Sequence, residues 1–274
     1  MDVCKRIAVT IDFNKASVHA FGEALFLAQK NGAEIVLVHV NTDISKTERY
    51  FNDKIRELIE DFGELAHNVD ISWRVIPGTK STIVHQVART IDQLEPLFIV
   101  VGYDTKSKID SLLGPNIKDI VYKTNYPIIA LRSGETVREL KSVLFPLTLD
   151  LNSRQKTNIS IKIAKDLGLD IVLFAMRVNN TKRDDKEMDI ISTRLLQKFK
   201  DNKIQSKLEW ADGKDAIDLI LDRTNYNKTD LIGIVFESSP DFMEKFRKTR
   251  EERVLEKNTN PLLIVKSHHS PYIY

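Results

Sequence analysis

The chain repeats itself, and that limits its fold more than anything else in it. Asn31-Gly32-Ala33-Glu34-Ile35-Val36-Leu37-Val38 returns as Leu167-Gly168-Leu169-Asp170-Ile171-Val172-Leu173-Phe174, at an offset of 136. Tyr126-Pro127-Ile128-Ile129-Ala130-Leu131-Arg132 returns as Asn260-Pro261-Leu262-Leu263-Ile264-Val265-Lys266, at an offset of 134. Arg6-Ile7-Ala8-Val9 stands against Ser142-Val143-Leu144-Phe145. Two copies of about 135 residues fill the 274, so the fold must be one that such a length can form twice. The polar stretch Ser133-Gly134-Glu135-Thr136 is the join, which predicts domains at 1–136 and 137–274.

Within each copy, short β-branched runs alternate with longer helical patterns. The first copy predicts strands at about 5–11, 34–40, 70–76, 97–102 and 127–132, with helices at about 15–31, 45–67, 80–94 and 115–124. The second predicts strands at about 142–148, 170–176, 206–211, 230–236 and 261–266, and helices at 185–203 and 213–226. Phe21, Ala24, Leu25, Leu27 and Ala28 form an apolar stripe at helical spacing, stopped by Asn31-Gly32. Unbroken apolar strands such as Phe98-Ile99-Val100-Val101 predict burial on both faces, as in a parallel sheet covered by helices. The fold class is therefore α/β: two tandem, doubly wound, five-stranded parallel-sheet domains.

Composition narrows the function. Lys+Arg total 41 against 39 Asp+Glu, a net charge of +2, which lacks the basic excess of a nucleic-acid binder. The halves differ little: residues 1–136 carry 16 basic and 18 acidic groups. A single cysteine, Cys4, excludes a disulfide framework within the chain and a cysteine-built zinc site, and a free thiol suits a reducing compartment. No run reaches the roughly 18–20 apolar residues of a membrane span. The start, with about five apolar residues before Asp12, is too short for a signal-peptide core. These features predict a cytoplasmic protein away from membranes.

In an open parallel sheet, ligands bind beyond the carboxyl ends of the strands, where strand order reverses. The residues there are Thr10-Ile11-Asp12-Phe13-Asn14-Lys15-Ala16-Ser17, then His39-Val40-Asn41, then Gly102-Tyr103-Asp104-Thr105 leading to Gly114-Pro115-Asn116. Glycines flanking a loop that feeds a helix can cradle a phosphate with backbone N–H groups. Neither a G-x-x-x-x-G-K-[ST] loop nor a G-x-G-x-x-G fingerprint is present. Asp12 reads equally as a ligand contact or as a turn acid for the following helix. His39 reads as a packed strand residue rather than a base, His85 has no catalytic partner, and the His268-His269 pair could bind a metal only adventitiously. Thr79 reads as a helix N-cap. Nothing names a reaction, and no metal site is expected: H-E-x-x-H, G-x-S-x-G and carboxylate clusters at ligand spacing do not occur.

Through Ile7-Ala8-Val9-Thr10-Ile11-Asp12-Phe13 with Ser17, Gly32 through Val40, and Gly102 through Gly114 leading to Pro127, the chain resembles the universal stress protein family in its tandem form. The resemblance implies an α/β fold and, for many members, ATP at the strand ends. It implies a nucleotide-binding set of Thr10, Asp12, Val40, Gly102, Thr105, Gly114 and Asn116. Asp12 and Val40 would flank adenine, Gly102 would open the phosphate loop, and Gly114 and Asn116 would lie beneath the phosphates. ATP with magnesium is the implied cofactor. Single-domain members dimerise through the last strand, so a tandem chain implies an internal pseudo-twofold dimer, with further homodimerisation open.

This chain departs from the family pattern where phosphate would bind. Thr105 stands where nucleotide-binding members have glycine, and Pro115 where they have Ser or Thr, removing an N–H and a hydroxyl. The second copy departs further. Ungapped alignment puts Thr148 opposite Asp12 (with Asp150 two residues on), Phe236 opposite Gly102, Ser239 opposite Thr105, Lys248 opposite Gly114 and Arg250 opposite Asn116. Seven of the ten glycines fall before residue 137. Lys245–Arg250 reads as an anion-binding stretch or as a solvated helix face. The leading expectation is a non-enzymatic stress-response module, binding an adenine nucleotide in the first domain and using the second as scaffold, with ligand shifting the Gly102–Asn116 loop between states. The alternatives are a nucleotide-independent protein-interaction or small-ligand module and, ranked last, a slow ATPase.

Overall fold

The computed structural model describes residues 5–103, 117–132, 140–147, 161–178, 182–226, 231–236 and 260–266. The chain divides into two compact units, Met1–Glu139 and Leu140–Tyr274.

In unit 1 the elements are β1 (Arg6–Thr10), α1 (Lys15–Asn31), β2 (Glu34–Asn41), α2 (Glu48–Asp61), α3 (Gly63–His67), β3 (Ile71–Pro77), α4 (Ile83–Leu94), β4 (Phe98–Gly102), α5 (Ile117–Lys123) and β5 (Ile128–Leu131). All strand pairs are parallel, in the order β3-β2-β1-β4-β5. The order reverses between β1 and β4, the switch point of a doubly wound sheet. Ile7, Val9, Ile35, Leu37, Ile99 and Val100 are fully buried, which is why these strands read as unbroken apolar runs. The stripe Phe21, Ala24, Leu25, Leu27, Ala28 is the buried face of α1. Gly32, at φ 57°, ends that helix in the left-handed conformation, its N–H on the Ala28 carbonyl.

In unit 1 two helices differ from expectation. The single helix read over 45–67 is α2 and α3, broken where Gly63 takes a φ of 49°. Helix α4 starts at Ile83, with Thr82 rather than Thr79 at its N-cap; Thr79 donates its N–H to Thr82 Oγ1 at 2.8 Å in a preceding turn.

Unit 2 repeats the plan with β6 (Ser142–Leu147), α6 (161–167), β7 (Asp170–Val178), α7 (Lys182–Asp201), β8 (Ser206–Gly213), α8 (Ala216–Tyr226), β9 (Leu231–Phe236) and β10 (Leu262–Lys266). Its strands are parallel in the order β8-β7-β6-β9-β10. Helix α8 starts three residues later than expected, because Asp215 accepts the N–H groups of Ile217 (2.8 Å) and Asp218 (3.3 Å) as its cap.

The registers correct the alignment of the copies. Ile7 faces Phe98 where Val143 faces Leu231, and Leu131 faces Gly102 where Val265 faces Val235. Val235, not Phe236, therefore occupies the place of Gly102; Phe236 occupies that of Tyr103. The extra residue that shifted the ungapped alignment lies between β9 and β10.

An ion-pair network ties α8 to the sheet. Arg223 Nη2 donates to Glu209 Oε1 at 3.1 Å, and Lys207 Nζ lies 2.8 Å from the same oxygen. Hydrogen bonds from Arg223, and from Lys207 after it, hold the Glu209 carboxyl at about 2 against an ordinary 4.5. The unfolded chain takes up this proton first, so the stabilisation is complete above pH 4.5 and disappears as pH falls toward 2. Solvent screens the pair, and about 1 kcal/mol is expected. Urea unfolding read at Trp210 should show that loss between those limits, and Arg223→Ala should flatten it.

Candidate functional site

The carboxyl ends of β1, β2 and β4 meet at the switch point. After β1 the chain turns through Asp12, Phe13 and Asn14 into α1. Asn14 is the N-cap, its Oδ1 accepting the Ser17 N–H at 2.7 Å. Asp12 holds the cap: its carboxylate accepts the Asn14 N–H at 3.1 Å and Nδ2 at 3.0 Å. Ser17 closes the ring, its Oγ accepting the Asp12 N–H at 3.3 Å and donating to the Asn14 carbonyl at 3.1 Å. Asp12 thus serves as the turn acid, half-exposed at the strand end. Phe13 makes the turn at a φ of 64°, a costly conformation for a bulky residue.

The ring of Phe13 lies 5.1 Å from His39 and 6.3 Å from Phe51 of α2, with His39 and Phe51 4.3 Å apart. Lys54 sits 5.0 Å over Phe13. His39 is buried, with Nδ1 2.8 Å from the Ile11 carbonyl; since a carbonyl only accepts, Nδ1 carries the proton and Nε2 is left a buried acceptor without a partner among the described residues. Burial lowers the His39 pKa, and Lys54 adds to this, while the Ile11 hydrogen bond and Asp12 oppose it. His39 is a packing residue with a pH cost. The unfolded chain binds its proton at the ordinary value near 6.5, so the His39 contribution is intact above that pH and is lost as pH falls below it. His39→Phe should reduce the drop in melting temperature between pH 7 and pH 5.

Val40 is buried on the other face, against the turn leaving β3: a Cβ on Gly78 would lie 2.6 Å from Val40 Cγ1. Gly102 is clamped harder. A Cβ there would lie 2.2 Å from the Ala16 carbonyl carbon and oxygen and 2.4 Å from the Ser17 nitrogen. Gly102 therefore lets the first turn of α1 lie on β4, a packing duty apart from any phosphate loop.

Two hydroxyls flank the switch point. Thr10, 1% exposed, pairs in register with Val38 and Val101, and its Oγ1 has no hydrogen-bond partner among the described residues. Tyr103 continues the β4 ladder, its N–H on the Leu131 carbonyl at 2.8 Å, and strand alternation puts it on the same sheet face as Thr10. It too is 1% exposed, its hydroxyl makes no hydrogen bond of ordinary length, and the Arg132 guanidinium lies 5.3 Å over its ring. Burial raises the Tyr103 pKa, against the pull of Arg132.

The structure thus gathers Thr10, Asp12, Val40 and Gly102 at one end of one sheet. Thr105, Gly114 and Asn116, with Asp104 and Pro115, lie outside the described residues, as do Cys4, Thr148, Asp150, Ser239, Lys245–Arg250 and His268-His269. His85 is exposed on α4. Among the described residues no group of three or more His, Cys, Asp or Glu could hold a metal ion, and no helix is long and apolar enough to cross a membrane. Phe13 and Tyr103 were legible in the sequence only as strand-end residues without a role, and Phe51 was not singled out at all. The signal was an aromatic directly after a strand-end residue, Phe13 after Asp12 and Tyr103 after Gly102.

No curated protein matches the chain. A solved universal stress protein from Archaeoglobus fulgidus is similar over 96% of this chain and 98% of its own, at 16% identity and a TM-score of 0.69. A functionally unknown protein from Pseudomonas aeruginosa is similar over 97% of this chain and 93% of its own, at 13% identity and a TM-score of 0.65. At these identities the likeness establishes the fold, through both units. The universal stress protein family itself matches residues 4–132. Unit 1 is therefore a universal stress protein domain.

Proposed function

We propose that unit 1 binds an adenine nucleotide, ATP with magnesium being the first to test, at the carboxyl ends of β1, β2 and β4, and that the protein works as a regulatory binding module rather than through turnover. The observation that supports this reading is the fully buried hydroxyl of Thr10 at the switch point, which has no hydrogen-bond partner among the described residues. A buried hydroxyl without a partner costs free energy, and such groups persist where a ligand or an ordered water completes them. Asp12 stands beside it with its carboxylate oriented by Asn14. The resemblance of this strand end to nucleotide-binding members of the family supports the same placement.

Thr10→Val keeps the shape and removes the hydroxyl. It should leave the melting temperature unchanged or raise it, because an unsatisfied group is removed, and should weaken ATP binding by about tenfold, the worth of one hydrogen bond. Titration calorimetry with ATP and magnesium on both proteins is the test; equal affinity would remove Thr10 from the site.

A second reading, a small-ligand or protein-interaction module, draws on the rim of unit 1. Ile44 there is fully exposed, two residues before Lys46, whose ammonium lies 4.5 Å over Tyr50. It gains if no nucleotide binds at all.

A further inference from the structure

The opposite end of unit 2, at the amino ends of its strands, holds a cleft that comparison with unit 1 explains. Arg6 opens β1 in register with Glu34, and Ser142 opens β6 in register with Asp170. In unit 1 the Arg6 guanidinium donates to the Glu34 carboxylate and reaches the Leu94 carbonyl, at the end of α4, at 3.4 Å. Ser142 is too short to do either. The Asp170 side chain is exposed and has no ion pair or hydrogen bond among the described residues.

The arginine has in effect moved. The eighth residue of α4 is Thr90, whereas the eighth of α8 is Arg223, which turns to Glu209 on β8. Glu209 is one carboxylate between two cations, Arg223 and Lys207. What remains is a cleft of about 460 Å³ whose lining includes Lys141, Ser142, Asp170, Gln205, Lys207 and Arg223. It has an acidic pole at Asp170, where unit 1 seats a guanidinium, and a basic side at Lys141, Lys207 and Arg223. The volume lies within the range of small-molecule sites, about 300–1,000 Å³.

We propose that this cleft binds a small zwitterion bearing a guanidinium, free arginine being the simplest. Its guanidinium takes the place of the Arg6 head group against Asp170, and its carboxylate faces Lys141 and Lys207. A guanidinium–carboxylate pair forms at the acidic pole, and the lysine ammonium groups of the basic side offer point charges to the ligand's carboxylate. The site is separate from the nucleotide site proposed for unit 1.

The probe is L-arginine, titrated calorimetrically into the full chain at low ionic strength. Saturable binding of one molecule per chain is expected. Agmatine, which lacks the carboxylate, should bind about tenfold more weakly, and Asp170→Asn should weaken arginine by at least about tenfold. Lys207→Met, on an exposed position of β8, should weaken arginine and leave agmatine unchanged. Ser142→Arg rebuilds the plug of unit 1 and should abolish binding without lowering the melting temperature. The proposal is overturned by no saturable arginine binding up to about 10 mM, a limit below which binding carries no recognition. It is equally overturned by arginine binding that survives in Ser142→Arg, or by saturable binding of inorganic phosphate in place of arginine.

Discussion

Gly102→Ala is expected to destabilise unit 1 by about 3 kcal/mol or more, at the upper end of what overpacking costs. The added Cβ would meet the backbone of Ala16 and Ser17, not a side chain that could rotate away. Relief requires α1 to lift from β4, which breaks the Asp12–Asn14–Ser17 ring that caps the helix. Urea unfolding of a Trp210→Phe background, in which Trp73 reports on unit 1 alone, measures the loss; a change under about 1 kcal/mol would show that the clamp is soft. Gly102→Val, which imports the residue of β9 at the same register, should be worse. Substitution of Gly102 therefore cannot be used to ask whether a nucleotide binds there, since failure to bind and failure to fold would coincide.

The second large effect is a pair effect in unit 2. Val9 and Val100 are register partners in unit 1, and the same places in unit 2 hold Phe145 and Gly233. The large residue has been matched by the smallest: a Cβ on Gly233 would lie 2.3 Å from the Phe145 ring. Gly233→Val alone should cost about 3 kcal/mol through overpacking, and Phe145→Val alone about 2 kcal/mol through the cavity it leaves. The double variant restores the valine pair of unit 1. It should recover most of the loss, giving a coupling of about 2 kcal/mol or more. A Trp73→Phe background makes Trp210 the reporter for unit 2, and additive single effects would refute the compensation.

These two sites show what could be read from the sequence. The repeat located every strand to within a residue or two, because strands buried on both faces must be apolar throughout, and Phe98–Val101 or Ile171–Phe174 could do little else. The stop of α1 at Gly32 was legible for the same local reason. Whatever depends on contacts across the sheet was not. Gly102 reads as the start of a phosphate loop, yet its visible duty is to admit the backbone of α1, and no local pattern distinguishes the two. One inserted residue between β9 and β10 was enough to set Phe236 opposite Gly102 in an ungapped reading; only the register puts Val235 there. Asp12 offered two local readings, and the structure shows it holding Asn14. The half-exposed carboxylate still lies at the proposed site. The cleft of unit 2 was invisible because an arginine on a strand was replaced by one on a helix, a change that leaves composition and periodicity alike.

The central claim is that a nucleotide site belongs to unit 1 alone, at the carboxyl ends of β1, β2 and β4. Native mass spectrometry of the full chain with ATP and magnesium tests it most directly, with Thr10→Val as the folded control. The account predicts one nucleotide per chain, with occupancy markedly lower in Thr10→Val at the same ATP concentration. Two nucleotides per chain, or none at millimolar ATP, would contradict it.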